Sequence, residues 1–357
     1  MIHPLRSSIR GLCAPGFVVV SLVVAATSFG DDLEVVVDDV AALRRSAARG
    51  IEIVAKAARN YPEHRDCFSC HHQTLPVLAM VTGRDHGLAV DDEVVTAAVD
   101  FSRKFFAARA ARMEDGEGVG GASMTVGYGL WMLALAGNDR DTLTSAMVAF
   151  LLATQQDDGR WKTSSIRPPL EESDIACTVL AVHTMERFAT DAQREAVTQA
   201  AAKAKRWLLE AKATSQEDRN SLLSGLSLVR ASAASIDAAR EAVLAAQRVD
   251  GGWAQIDGME SDAYSTGQTL FTLRQTRTPT TDPAYRRGLR FLLSTQHDDG
   301  SWFVKSRSKP IQTLFDNGDP HGTDQFISIS ATAWATTALA LAIDREERAP
   351  FDATKSE

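Results

Sequence analysis

Three windows of this chain repeat one pattern: Gln155-Gln-Asp-Asp158-Gly159-Arg-Trp161, Gln247-Arg-Val-Asp250-Gly251-Gly-Trp253 and Gln296-His-Asp-Asp299-Gly300-Ser-Trp302. Four residue types recur at identical spacing. Such self-similarity marks a repeat architecture, in which each unit hides its apolar face only by stacking on its neighbours. The last two windows start 49 residues apart and the first two 92 apart, or two periods of 46. A degenerate copy is therefore expected between them. The stretch from Ala204-Lys-Arg-Trp207-Leu208 to Gln216 fits, keeping the aromatic-leucine pair and losing Gly-x-Trp.

Each window follows a helical segment, as with Phe291-Leu292-Leu293 before Gln296 and Phe150-Leu151-Leu152 before Gln155. Aspartate and glycine then stop the helix, because glycine tolerates the left-handed backbone at a C-terminal stop. A second, more apolar helix comes next. Such inner helices are expected near 68–82, 122–137, 172–189, 217–232, 261–275 and 325–343, and their amphipathic outer partners near 37–59, 92–112, 140–154, 191–212, 234–247 and 283–296. The fold class is all-α. Six outer–inner hairpins close into an (α/α)6 toroid over residues 31–345, with an open solenoid as the alternative.

These windows resemble the QW motifs of squalene–hopene and oxidosqualene cyclases, whose toroid is shared by protein prenyltransferase β subunits. The resemblance implies that Gln155/Trp161, Gln247/Trp253 and Gln296/Trp302 staple helix ends and take no part in chemistry. It also implies a central apolar cavity for an isoprenoid-type ligand. The cyclases' Asp-x-Asp-Asp acid motif is absent here, as is an Asp-Asp-x-x-Asp magnesium motif. The nearest positional counterparts of the acid are Glu171-Glu172-Ser173-Asp174 and Glu260-Ser261-Asp262. Clustered carboxyls keep one member protonated, so Glu171, Glu172, Asp174 and Asp262 are the candidate catalytic acids. Helix N-capping is the alternative role for these turns. Tyr128, Trp131, Tyr264, Phe271, Phe326 and Trp334 fall on inner helices, as candidate substrate-binding rings or as core packing.

A second chemical signal is Cys67-Phe-Ser-Cys70-His71-His72. Cys-x-x-Cys-His is the attachment pattern of c-type haem, with Cys67 and Cys70 bonded to the macrocycle and His71 on the iron. Met80, His64 or His72 is the candidate sixth ligand, and such a protein would have an electron-transfer partner. The same cluster opens the first inner helix, on the rim that also carries His321 and Asp324. Cys67, Cys70, His71, His72, His321 and Asp324 therefore make an alternative zinc set. In the prenyltransferases that the chain resembles, a cysteine of the zinc site stands where this chain has Tyr264. A Cys67–Cys70 disulfide or free thiols is the remaining reading, and Cys177 and His183 are expected in the core.

Residues 1–30 carry Arg6, Arg10 and an apolar run from Phe17 to Ala26, the pattern of a cleaved export signal, with a retained anchor as the alternative. The expected location is periplasmic or secreted. Removing this segment takes the net charge from −8 to −10. With no basic patch of interleaved aromatics, nucleic acid is excluded as a partner. The long connection from Trp302 to Asp324 is expected to be a mouth or lid element, and residues 346–357 a polar tail. Exported (α/α) glycosidases and lyases form a further class, but no carboxylate pair is singled out for that chemistry.

Overall fold

Most of the long helices in this chain begin at aspartate or serine. Asp39, Asp91, Asp141, Ser173, Ser215 and Asp262 each accept a hydrogen bond from a backbone N–H one turn ahead, satisfying a donor that has no partner within the helix. At Asp141 and Ser215 the third helical residue bonds back to the cap, completing a capping box. The structure, a computed structural model, describes residues 39–309 and 313–343. The expected export segment and the polar tail lie outside those residues.

The described chain is all-α, with six hairpins in sequence. They are α1 (Val40–His64) with α2 (Leu75–Asp85), the latter led by a π-helical turn at Cys70–Thr74, and α3 (Asp92–Ala107) with the short α4 (Ala110–Met113) and α5 (Ala122–Leu135). Then come α6 (Thr142–Thr154) with α7 (Asp174–Phe188), and α8 (Arg194–Glu210) with α9 (Gln216–Leu228). The last two are α10 (Ala233–Ala245) with α11 (Ala263–Gln275), and α12 (Pro283–Thr295) with α13 (Gln325–Ala342), which a 3-10 turn at Gly322–Asp324 precedes. The second member of each hairpin lines the inside. Each inner helix packs on the next, and α13 packs on α2 and α1, so the ring closes and the solenoid alternative falls.

Inner and outer helices differ as their sequences require. In α13 every residue from Ile327 to Ala340 is buried, because neighbours surround it on all sides. The segment Gly322–Ala342 is long and apolar enough to cross a membrane, but here it is a core helix of the ring. One close approach sets the α11–α13 spacing: a Cβ on Gly267 would lie 2.6 Å from the Ala335 backbone nitrogen.

The three Gln-Trp windows act as expected of staples. Each indole N–H donates to a carbonyl of the outer helix just ended: Trp161 to Leu151 (2.7 Å), Trp253 to Val243 (2.8 Å) and Trp302 to Leu292 (3.0 Å). Each glutamine amide bridges its own turn and the next outer helix. Gln155 donates to Gly159 and Ala200, Gln247 to Gly251 and Ala284, and Gln296 to Gly300 and Ser46. The last of these joins the end of the ring to its beginning. The window glycines have φ of +99°, +88° and +93°, and their missing Cβ makes room for the backbone of the next outer helix. Where the motif decays, residues 211–215 join α8 to α9 directly, and Trp207 packs on the small cluster of Ile175, Leu208 and Leu226.

Candidate functional site

Aromatic rings from well-separated inner helices meet inside the ring. Trp131 on α5, Phe271 on α11 and Trp334 on α13 lie with centroids 5.2–6.2 Å apart, and Tyr128, one turn before Trp131, lies tilted against it at 6.1 Å. Since α5 and α11 are the second and fifth inner helices, these rings meet across the bore, and Trp131 and Phe271 remain only partly buried there. Phe326 belongs elsewhere, packed on His71, His72 and Phe315.

Beside these rings lies an acid that the sequence alone does not single out. Glu217, the second residue of α9, is 4% exposed. Its Oε2 accepts from the Tyr264 hydroxyl (3.1 Å) and from Gln268 Nε2 (2.8 Å), both on α11. Burial pushes its pKa up to about 8, the two donors pull down, and nearby Asp218 and Glu172 push up again. Burial thus favours the protonated carboxyl near neutral pH. Because Oε2 takes both donors, the proton belongs on Oε1. Tyr128 is close enough for the charges of Glu217, Cys70 and Glu171 to raise its pKa, behind the larger effect of burial. Sequence held one signal for this residue, an acidic side chain at the start of an inner helix, but the Ser215–Asp218 capping box there reads as purely structural.

The carboxylates expected to cluster do not. Glu171 turns inward to Arg167 (2.6 Å), Ser165 (2.5 Å) and the Cys70 thiol (3.8 Å). Glu172 pairs with Arg307 at 2.6 Å, and Asp174 accepts from the Thr163 N–H (2.9 Å) with Arg160 3.5 Å away. Each has its own cation, so they share no proton. Asp262 is the N-cap of α11, bonded to Ser265 N and Gln255 Nε2, and burial lifts its pKa to about 6. The capping alternative is the one realised there.

The Cys-His cluster is built into the ring wall. His72 is fully buried, stacks on Tyr61 (4.5 Å), and has both ring nitrogens engaged, by Ser69 (3.1 Å) and Asn317 (2.8 Å). Cys67 faces the Tyr61 hydroxyl at 3.1 Å, whereas Cys70 faces Glu171. Cys67, Cys70 and Cys177 are free thiols, with no Cys67–Cys70 disulfide. Burial drives the Cys70 thiol up and lowers His71 to about 3. The six proposed zinc ligands are not brought together. His321 bonds Ser301 and lies on His297, Asp324 pairs with Lys305, and among the described residues no three Cys, His, Asp or Glu side chains form a metal-ligand group.

The haem expectation also meets its geometry here. Met80 is fully buried nine positions beyond His71 on one helical run, roughly 13 Å along its axis at 1.5 Å per residue. Two axial ligands must face each other across one iron atom, so Met80 cannot pair with His71. The thiols point to different partners, and the His71 ring is packed against His72 (4.6 Å) and Phe326 (5.4 Å). As folded, these residues do not fit a covalently held haem.

The described parts of the 302–324 connection, residues 302–309 and 313–324, lie against the starts of inner helices. Arg307 bonds Gln255 and Glu172, and Ser308 reaches the Pro168 carbonyl. At its far end Asn317 holds His72, while Arg65 lies over Phe315.

A scan against family models gives no match, and neither does a sequence search of curated proteins. Solved structures do match. The type II terpene cyclase MstE from Scytonema, in complex with merosterolic acid A, shares 16% identity with a TM-score of 0.57, over 85% of this chain and 98% of that one. A protein from Actinoplanes gives 17% identity and a TM-score of 0.53, over 85% of this chain and 100% of that one. A glycosidase variant gives 15% identity and 0.57, over 85% and 98%. At such identities the likeness is one of architecture: the chain has the α/α toroid fold that type II terpene cyclases also have.

Proposed function

We propose that this protein is a terpenoid-cyclase-like acid catalyst that works outside the cytoplasm, in the periplasm or as a secreted protein. It takes an isoprenoid-type substrate inside the ring, and Glu217 is the proton donor. The observation that carries this reading is the buried Glu217 carboxyl with both protein donors on one oxygen, whose pKa burial raises. Supporting it, MstE, of the same fold, has been solved with geranylgeranyl dihydroxybenzoate as substrate.

In this reading the O–H bond at Glu217 Oε1 breaks, leaving its electron pair on the carboxylate, as the π electrons of a substrate double bond form a C–H bond with that proton and leave a cation on the other carbon. Burial that keeps the carboxyl neutral also weakens it as an acid. The Tyr264 and Gln268 donors act the other way, stabilising the carboxylate left behind. The cation that forms faces aromatic rings, Tyr128, Trp131 and Trp334, whose negative faces attract positive charge. Loss of a proton from the final cation to water, and uptake of a proton from water by the carboxylate, return the site to its starting state.

The test is incubation of the purified protein with squalene and shorter polyprenyl substrates, followed by product analysis. Glu217→Gln keeps size and hydrogen bonding but has no acidic proton, and is expected to abolish product. Asp174→Ala and Asp262→Ala are expected to retain it. Product from Glu217→Gln, or loss only in the other two, overturns the assignment.

A further inference from the structure

Between α9 and α11 a chain of buried amides runs in one direction. Gln216 Nε2 donates to Asn220 Oδ1 (3.1 Å), Asn220 Nδ2 to Gln268 Oε1 (3.0 Å), and Gln268 Nε2 to Glu217 Oε2 (2.8 Å). Thr269 Oγ1 sits at the branch. It accepts from Gln216 (3.1 Å) and Asn220 (3.0 Å) and donates to Asn220 Oδ1 (3.2 Å). Gln216 and Asn220 are each 1% exposed, and Thr269 and Gln268 are buried as well. So many polar groups in a dry interior are costly unless they serve a specified arrangement.

Two directions are open to such a chain. In the observed one, every carboxamide gives its N–H toward Glu217, and the chain ends at Gln216 Oε1, which is buried with no partner. Turning one amide alone would set like against like, oxygen to oxygen on one side and N–H to N–H on the other. Turning all three would satisfy the chain again. It would, however, present Gln268 Oε1 to Glu217, which would then have to point its proton at Gln268. The observed direction leaves Glu217 Oε2 as the accepting oxygen and Oε1 as the one that bears the proton.

We propose that Asn220, which does not touch Glu217, is a positioning residue whose amide fixes this direction and so keeps the Glu217 proton on Oε1. The proposal rests on Glu217 being the acid, and it deepens that reading by naming what aims the proton. Asn220 suits the task because its N–H and carbonyl are both engaged, by Gln268 on one side and by Gln216 and Thr269 on the other. An orphaned acceptor at Gln216 is the cost of the arrangement.

The test reads the carboxyl directly, by infrared spectroscopy. The carbonyl stretch of neutral Glu217 is assigned as the band lost in Glu217→Gln. Gln268→Leu removes a donor from Oε2 and moves the band to higher frequency. Asn220→Leu, similar in shape but without a donor, is expected to move it the same way, although position 220 lies one residue further along the chain. With a turned-over substrate, Asn220→Leu is expected to lower kcat about tenfold, less than the roughly 10²–10⁴-fold that a general acid itself contributes, and to leave KM within about twofold. Should Asn220→Leu fail to fold, Thr269→Val loosens the same amide and the same shift is expected. An unmoved band in the folded variant overturns the proposal. If Glu217→Gln itself still gives product, the acid assignment fails, and the band measurement still decides separately whether Asn220 orients Glu217.

Discussion

Gln296 is the staple that closes the ring, and its removal has a calculable effect. Its amide donates to Gly300 O (3.0 Å) and Ser46 O (2.9 Å), while its Oε1 accepts from Ser46 Oγ (2.7 Å) and Arg49 (2.5 Å). Gln155 has the same two amide bonds but no side-chain donors on its oxygen. A typical bond of this kind contributes about 1 kcal/mol net, and somewhat more when one partner is charged. The Arg49 bond is exposed and is discounted. Gln296→Ala should therefore cost about 3 kcal/mol, and Gln155→Ala about 2 kcal/mol. Urea unfolding followed by circular dichroism measures both, with a shift in midpoint at unchanged slope as the expected signature. A loss below about 0.5 kcal/mol in Gln296→Ala would refute the view that this glutamine holds the first and last hairpins together.

Other expectations follow from the same structure. Glu217 has a folded-state value of about 8 against an ordinary 4.5, so the folded chain holds this proton more tightly than the unfolded chain does. Stability should then fall as pH rises from 4.5 to 8; Asp262 (about 6) and Asp319 (about 7) add to the slope, and Glu217→Gln should flatten it in pH-dependent melting. Gly267→Ala places a methyl group against the α13 backbone, and calorimetry should register a loss of about 3 kcal/mol, whereas substitution of the open Gly137 position by asparagine should cost far less. Protein made in cells with haem-maturation machinery should show no c-type absorbance after dithionite; a band that survives acid–acetone extraction would contradict the geometry at Cys67, Cys70 and His71.

Architecture was legible in the sequence because it is written in local signals. The Asp-Gly stops, the capping residues and the apolar periodicity fix where each helix ends, and all twelve long helices lie where the pattern puts them. The site was less legible, because burial and partner choice are not local. Asp174, Glu171 and Glu172 stand close in sequence, but arginines from three different places, Arg160, Arg167 and Arg307, draw them apart. Glu217 sits inside an ordinary capping sequence, and only the packing of α9 on α11 places Tyr264 and Gln268 on it. The Cys-His motif has the right spacing for haem but the wrong surroundings, since Tyr61, Phe315 and Phe326 pack it into the wall.

Solvent labelling tests the central claim most directly. A reaction begun by proton transfer from an exchangeable carboxyl takes one hydrogen from water into the product. Turnover of a polyprenyl substrate in deuterium oxide, read by mass spectrometry, should therefore give product one mass unit heavier, with no product from Glu217→Gln. Unlabelled product, or labelled product that Glu217→Gln still makes, would contradict the assignment of Glu217 as the acid.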